Sequence, residues 1–280
     1  MKQRFSFSSK KTGKFKKQPT TNKHRIKFPK IVADVIRTSD IILEVLDARF
    51  IEKTRNQDVE NLVKNQGKKL IYILNKADLI DINELKQNYD LLGLGSYVLF
   101  SCKSKIGRKR LRDRLKIEVK KMKLGDKQAR VGIIGYPNTG KSSLINVLSG
   151  KKGAGTSPES GYTKVMQKIR FNKDILILDT PGVFQEKENP ETKSADLKKH
   201  AQIGIKTFAN VKEPQLIILS LMQQYPEKLE KFYQVEAKGD VDLFLQELGK
   251  RKNFIRKGNL IDTDRTARYI LKDWQSGKIR

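Results

Sequence analysis

Apolar residues along the chain follow two periods, and the change from one to the other marks the elements. Uninterrupted runs rich in Ile, Leu and Val at 41–46, 70–74, 97–100, 131–134 and 175–178 read as short strands buried on both faces. A further strand falls around 166–171. Between the runs the spacing becomes helical. Ile31, Val32, Val35 and Ile36 mark a helix over 29–38, Leu111, Leu115, Val119 and Met122 a helix within 105–123, and residues 144–148 a helix directly after the strand at 131–134. Six strands alternating with helices predict an α/β domain with a six-stranded, mostly parallel sheet.

Past the last strand the pattern is helical only. Ala201, Ile205 and Phe208 share one face of a predicted helix, and Pro214, suited to a first helical turn, opens another through residue 222. Asp240 caps a helix bearing Val241, Phe244, Leu245 and Leu248, with Gly249 as its stop, and Ala267, Ile270, Leu271 and Trp274 repeat the pattern in a last helix. A core stripe accounts for these residues without any ligand. The chain thus divides into an unstructured arm over 1–28, an α/β domain over 29–210 and a small helical domain over 211–280. About sixty residues bury little surface alone, so the last unit should lean on the sheet domain.

Two loops carry chemistry. The strand at 131–134 leads into Gly135-Tyr136-Pro137-Asn138-Thr139-Gly140-Lys141-Ser142-Ser143 and then a helix, the context a phosphate-binding loop requires. Glycines at 135 and 140 let backbone N–H groups turn inward around a phosphate, while Lys141 supplies a cation to the β and γ phosphates and Ser142 a hydroxyl to Mg²⁺. The strand at 70–74 runs into Asn75-Lys76-Ala77-Asp78. A carboxylate there accepts both N1–H and the 2-amino group of guanine, whereas adenine presents an unprotonated N1 and leaves the carboxylate unpaired. Such a site discriminates by roughly 10⁴ or more. Ser101-Cys102-Lys103, after the strand at 97–100, would add a backbone N–H to the base and a lysine stem to stack on it. Cys102 has a plainer reading as a small buried residue.

The loop at 150–163 is rich in Gly, Ser and Pro and contains Thr163, with Thr156 as the alternative, to complete a Mg²⁺ shell when a γ-phosphate is present. Asp179-Thr180-Pro181-Gly182 follows the strand at 175–178, placing Asp179 to hold Mg²⁺ and the Gly182 N–H to sense the γ-phosphate. The order of these loops is unusual, because in an ordinary GTPase N-K-x-D follows D-x-x-G. The one downstream approximation, Ala237-Lys238-Gly239-Asp240, lacks the amide and a preceding strand. The chain is read as circularly permuted, which is tolerable because domain termini tend to lie close together.

Composition adds a partner. The 280 residues carry 59 Lys+Arg against 31 Asp+Glu, a net charge of +28, which points to a polyanion. The arm holds Lys and Arg without a single acid, interleaved with Phe5, Phe7 and Phe15, a mixture suited to RNA, though a solvated tail is the alternative. Lys250, Arg251, Lys252, Arg256, Lys257, Arg265, Arg268 and Lys272, with Phe254 among them, lie off the apolar stripes and offer a second RNA-facing surface. One cysteine excludes a disulfide framework. No run of about eighteen apolar residues is present, so no membrane span is expected, and a cytoplasmic monomer is.

Together these motifs resemble the circularly permuted GTPases of the YlqF/YawG type, over roughly residues 29 to 280. Asp47-Ala48-Arg49, with Arg55-Asn56 following, and Gly161-Tyr162-Thr163 belong to the resemblance. It implies a P-loop GTPase domain, GTP/GDP with Mg²⁺, and a role in ribosome assembly through rRNA of the ribosomal subunit, the large one by preference. It assigns nucleotide contacts to Asn75, Lys76, Asp78, Ser101, Cys102, Lys103, Asn138, Thr139, Gly140, Lys141, Ser142, Ser143 and Gly182, with Lys141, Thr163 and Gly182 at the reaction and Ser142, Thr163 and Asp179 at Mg²⁺. Where Ras-like proteins keep a catalytic glutamine this chain has Val183. Related GTPases with the same Pro-Asn pair hold K⁺ with the asparagine, which makes Asn138 the candidate here; the alternative is a hydrogen bond within its own turn. Rival readings are an ATP-using P-loop enzyme, opposed by Asp78, and an RNA-binding protein whose nucleotide is only structural.

Overall fold

In the computed structural model of the chain, the residues described are 27–150, 167–180 and 194–279. The basic arm lies almost wholly outside them, as do Thr156, Gly161, Tyr162, Thr163, Gly182 and Val183.

Helix α1 (Lys27–Thr38) leads into β1 (Ile41–Asp47), every residue of which is buried, and that is why its sequence is nearly all Ile, Leu and Val. Two short helices, α2 (Ile51–Thr54) and α3 (Gln57–Asn65), return the chain to β2 (Lys69–Asn75). Then come α4 (Ile82–Asn88), β3 (Tyr97–Leu99) and α5 (Arg108–Lys121). The predicted strand and helix at 97–100 and 105–123 are therefore present, slightly shortened. Gly107 precedes α5 at φ 74°, where a Cβ would stand 2.0 Å from the Leu99 carbonyl oxygen, so the turn into the helix needs glycine on both counts. β4 (Ala129–Ile134), α6 (Lys141–Ser149), β5 (Gln167–Arg170) and β6 (Ile175–Asp179) complete this half.

The six strands lie in the order β3-β2-β1-β4-β6-β5, parallel except for β5, which pairs antiparallel to β6. The chain starts in the middle of the sheet, walks to one edge, then crosses back over β1 to build the other half. Open α/β sheets bind ligands at the carboxyl ends of the strands where this reversal occurs. Here that crevice lies between the ends of β1 and β4. Leu111 and Leu115 of α5 and Leu144, Ile145 and Leu148 of α6 cover one face of the sheet, and Val32 and Ile36 of α1 with Val63 of α3 pack on the other.

The remaining elements are α7 (Ser194–Gln202), α8 (Pro214–Gln224), α9 (Lys228–Tyr233), α10 (Val241–Arg251), a two-stranded ribbon of β7 (Ile255–Arg256) and β8 (Leu260–Ile261), and α11 (Thr263–Ser276). Two sequence expectations are corrected here. The helix expected through Ala201, Ile205 and Phe208 stops at Gln202, because Gly204 turns left-handed at φ 79° and the Ile205 N–H returns to the His200 carbonyl at 2.8 Å. Ile205 stays buried and Phe208 opens a separate 3₁₀ turn, Phe208–Asn210. Gly249 does not end α10. It lies inside the helix, where a Cβ would meet Ile261 Cγ2 at 2.5 Å and Thr266 Oγ1 at 2.7 Å, so its smallness serves packing against β8 and α11. Buried residues from Ala201 to Ile279 form one core that also takes in Phe50 and Tyr136, so the helical part leans on the sheet domain through those two rings.

Candidate functional site

β2 ends at Asn75, and Lys76 turns left-handed (φ 63°), so the chain leaves the sheet and a 3₁₀ turn, Ala77–Leu79, presents Asp78. The buried Asn75 amide donates from Nδ2 to the Thr139 carbonyl at 2.7 Å and accepts the Cys102 thiol on Oδ1 at 3.5 Å. One side chain therefore ties together three of the loops expected to meet a nucleotide. Gly140 follows at φ 99°, and a Cβ there would stand 2.2 Å from Asn75 Nδ2. Asp78 Oδ1 accepts from the buried Ser101 hydroxyl at 2.5 Å, and Ser101 Oγ in turn accepts the Ser104 N–H at 3.0 Å. The carboxylate is thereby aimed, half-buried, at the cleft. Burial pushes the Cys102 thiol up to about 11, which leaves it protonated and inert.

Lys76 lines the cleft with its neighbours but is anchored from behind. Its ammonium lies 2.7 Å from Asp47 Oδ2, and Arg49 grips the same carboxylate with Nε on Oδ1 (3.0 Å) and Nη2 on Oδ2 (2.8 Å). Burial alone would raise the Asp47 pKa, but Lys76 and Arg49 hold it well below the usual carboxylate range. Arg49 Nη1 also donates to the Trp274 carbonyl at 3.2 Å and to that of Gln275 at 3.5 Å. The tripeptide 47–49 thus braces the turn at 75–78 against the end of α11.

In the phosphate-binding loop, Gly135 stands at φ 144°, where a Cβ would lie 2.5 Å from the Val45 carbonyl oxygen. Thr139 Oγ1 donates to the Tyr136 carbonyl at 2.9 Å. The Lys141 ammonium lies on the carbonyls of Gly135 (3.0 Å) and Tyr136 (2.8 Å), spanning the loop from the first turn of α6. Burial lowers the Lys141 pKa, and the Asp179 carboxylate opposes that shift. Burial likewise raises the Asp179 pKa, against the pull of Lys141, the Thr180 N–H and the Ser142 hydroxyl. The donor set of one buried carboxylate beside one hydroxyl is made of hard oxygens and fits Mg²⁺, which keeps several waters and takes few protein ligands. Bound there, the ion would supply positive charge to the phosphate oxygens. Thr180 Oγ1 donates to the Ile133 carbonyl at 2.7 Å and fixes the exit of β6. Thr163 and Gly182, expected to close this end, lie outside the described residues.

Asn138 stands left-handed at φ 60°, and its Nδ2 donates to the Gly204 carbonyl at 2.7 Å and that of Ile205 at 3.5 Å. The partners lie beyond α7, so the amide reaches outside its own turn, which the alternative reading of Asn138 did not include. A cleft of about 560 Å³ results, walled on one side by Asn75, Asp78, Cys102, Lys103, Asn138, Gly140 and Ser143 and on the other by Gly204, Phe208, Lys272 and Gln275. Sequence reasoning missed Gln275, and placed Lys272 on an RNA-facing surface. Gln275 also accepts the Phe208 N–H (3.1 Å) and donates to the carbonyls of Ala201 (2.8 Å) and Lys206 (2.9 Å). No local pattern announces such a contact, because it joins residues far apart along the chain.

Comparison with known proteins places the chain among GTP-binding proteins. Residues 130–247 match the family described as 50S ribosome-binding GTPase. The chain is also 38% identical over 256 residues to the uncharacterized GTP-binding protein MJ1464 of Methanocaldococcus jannaschii, covering 91% of this chain and 66% of that protein. The chain belongs to the circularly permuted GTPases of the YlqF/YawG type. Nucleolar GTP-binding protein 2 of Neurospora crassa is 33% identical over 88% of this chain, which spans 40% of that protein. The GNP-bound YlqF structure from T. maritima shares the fold, with a TM-score of 0.63 at 24% identity, covering 90% of this chain and 94% of that one. The chain is shorter than its sequence relatives, spanning about two thirds of the archaeal one and under half of the fungal one.

Proposed function

We propose that this permuted GTPase binds GTP and GDP with Mg²⁺, hydrolyses GTP to GDP and phosphate, and acts as a ribosome assembly factor where ribosomes are built. In this reading the arm over 1–28 and a helical domain over 211–280 meet rRNA of the large subunit, and nucleotide state sets the affinity. The arrangement Ser101–Asp78 beside Asn75–Thr139 carries the reading, since it aims a carboxylate at the base end of the same cleft whose other end is the phosphate loop. Asn75 and Asp78 read guanine, with Cys102 and Lys103 beside the base. Lys141 and the N–H groups of the α6 N-terminus take the phosphates, and Ser142 and Asp179 hold Mg²⁺. Thr163 and Gly182 belong to the segments that sense the γ-phosphate, and a potassium ion near Asn138 supplies charge where no arginine finger is evident. The net charge of +28 and the relatives' names support the RNA and ribosome parts.

Asp78→Asn tests the guanine assignment. The new amide donates to the 2-carbonyl of xanthine where the carboxylate accepted guanine's 2-amino group. GTP affinity should fall by roughly 10² or more, with xanthosine triphosphate preferred, on the scale of a lost charge-assisted pair. Equal GTP affinity in the two proteins, measured by calorimetry, would sink the assignment. ATP binding as tight as GTP would favour the ATP-using alternative.

A further inference from the structure

A second cleft of about 560 Å³ opens on the helical part of the molecule, between α9, α10 and the end of α11. It shares no residue with the nucleotide cleft. Its walls are rings. Phe232 meets Tyr233 edge to face with centroids 4.8 Å apart, and Tyr269 stands 6.2 Å from Tyr233. Two of these rings are held from behind. The Tyr233 hydroxyl donates to Asp273 Oδ2 at 3.1 Å, and Asp273 is 3% exposed; Tyr269 packs against Phe254 at 5.5 Å. Phe232 is different, being 42% exposed at the lip of the cleft.

Cations ring the opening. Lys252 Nζ sits 5.6 Å over the Tyr269 ring, and Lys278 binds Asp273 Oδ1 at 2.7 Å, which neutralises the cleft's carboxylate. Arg251 is partly spent, since its Nη1 donates to the carbonyls of Tyr233 (3.0 Å) and Gln234 (2.7 Å) and so fixes the loop after α9. Rings that are rigid at the back and open at the lip, bordered by positive charge, match one ligand chemistry well. An unpaired base stacks on aromatic faces while its flanking phosphates meet Lys and Arg, and bases splayed from loops and bulges are how proteins recognise RNA locally. An acidic peptide would satisfy the cations and leave the stacking faces unused.

We propose that this cleft takes a single unpaired nucleotide of an RNA, its base stacked against Phe232 and a flanking phosphate on Lys252. The proposal rests on the RNA-binding part of the function above and adds a defined subsite to it. Because α11 walls both clefts, with Lys272 and Gln275 on one and Tyr269 and Asp273 on the other, an RNA held here touches the same helix that borders the guanine nucleotide.

The test uses the full chain and two fluorescein-labelled RNA hairpins that differ only by one bulged adenosine, read by anisotropy. Wild type should prefer the bulged hairpin. Phe232→Ala should bind it roughly 5- to 100-fold more weakly, the range of one base stack, and lose the preference while binding the paired hairpin as before. Phe232→Tyr should restore it. The slope of log K against log salt should stay the same in Phe232→Ala and become shallower by about 0.7 to 0.9 in Lys252→Gln. If wild type prefers the bulge and Phe232→Ala does too, the subsite is wrong and the RNA reading stands. If wild type binds neither hairpin, the RNA reading itself falls. Phe232-dependent binding of an acidic peptide, with RNA binding untouched, would assign the cleft to a protein and overturn the proposal.

Discussion

Glu44 lies wholly buried in the middle of β1, between Leu43 and Val45, and its Oε1 accepts the Asn56 N–H at 3.0 Å. Burial first, and the neighbouring Glu60 second, push its pKa up to about 8, against the pull of the Asn56 N–H and Arg55. Glu60 keeps its charge because Arg55 holds it with Nε at 2.8 Å and Nη2 at 2.7 Å, and the Tyr72 hydroxyl adds a bond at 2.7 Å. The folded chain therefore binds a proton on Glu44 between about pH 4.5 and 8 that the unfolded chain has released. Stability should fall as pH rises through that window, by at most about 1.4 kcal/mol per unit, and level off above it. Glu44→Gln keeps an acceptor for Asn56 without the titration, so urea midpoints measured from pH 5.5 to 8.5 should lose this component. A variant that tracks wild type at every pH would refute the assignment. At this scale the sequence was legible where a residue sits in a motif: Asn75, Asp78 and Lys141 were recognisable from spacing alone. Glu44 was not, since one acid in an apolar run carries no sign of its own, and the grip of Asp47 on Lys76 and Arg49 depends on side chains meeting across β1 and β2.

Between elements, the contacts that fasten the nucleotide loops to the helical part include Arg49 on the carbonyls at the end of α11, Asn138 on the Gly204 carbonyl, Tyr136 in the helical core, and Leu79 against Gly277, where a Cβ would stand 2.5 Å from Leu79 Cδ1. Arg49 belongs to both sides of this joint. Arg49→Ala leaves the Asp47 carboxylate with Lys76 and the backbone N–H of residue 49 and takes one donor from each of the Trp274 and Gln275 carbonyls, a loss of about 1–3 kcal/mol on the scale of charge-assisted hydrogen bonds. Hydrogen exchange over 270–279 should quicken and GDP affinity should drop, with Arg49→Lys recovering only part because a lysine has no fork for a carboxylate. Unchanged exchange over 270–279 in Arg49→Ala would show that the joint does not depend on this residue. The elements that could be read ahead are those with long, clean patterns: the six strands, α1, α5 and α11. The short helices α2, α3 and α4 escaped because each spans few turns, and a hydrophobic face overran the end of α7 because spacing is blind to the left-handed turn at Gly204. The ribbon of β7 and β8 has two residues per strand and leaves no period to detect.

At the scale of the whole molecule, the permuted order was legible because base reader and phosphate loop are separate motifs whose sequence order is visible, and the sheet order then follows from placing β1 between β2 and β4. What could not be read is that the helical part supplies a wall of the nucleotide cleft, through Gly204, Phe208, Lys272 and Gln275. That wall gives the proposed coupling between nucleotide state and RNA affinity a physical route. A partner that repositions α11 alters the nucleotide cleft, and by linkage nucleotide state alters affinity for the partner by the same factor. Val183, in the position where a glutamine would orient water, has no donor or acceptor for that task, so the isolated chain should turn over slowly. Single-turnover GTP hydrolysis should be faster in KCl than in NaCl at equal ionic strength, and faster again with large ribosomal subunits. Asn138→Ala should lose the cation preference, and it should also loosen the contact at Gly204, which hydrogen exchange around 203–208 reports separately from the rate. Indifference of wild type to the cation with and without subunits would remove potassium from the mechanism. A rate that subunits never raise would remove the proposed coupling to the ribosome while leaving the proposed guanine recognition by Asp78 untouched.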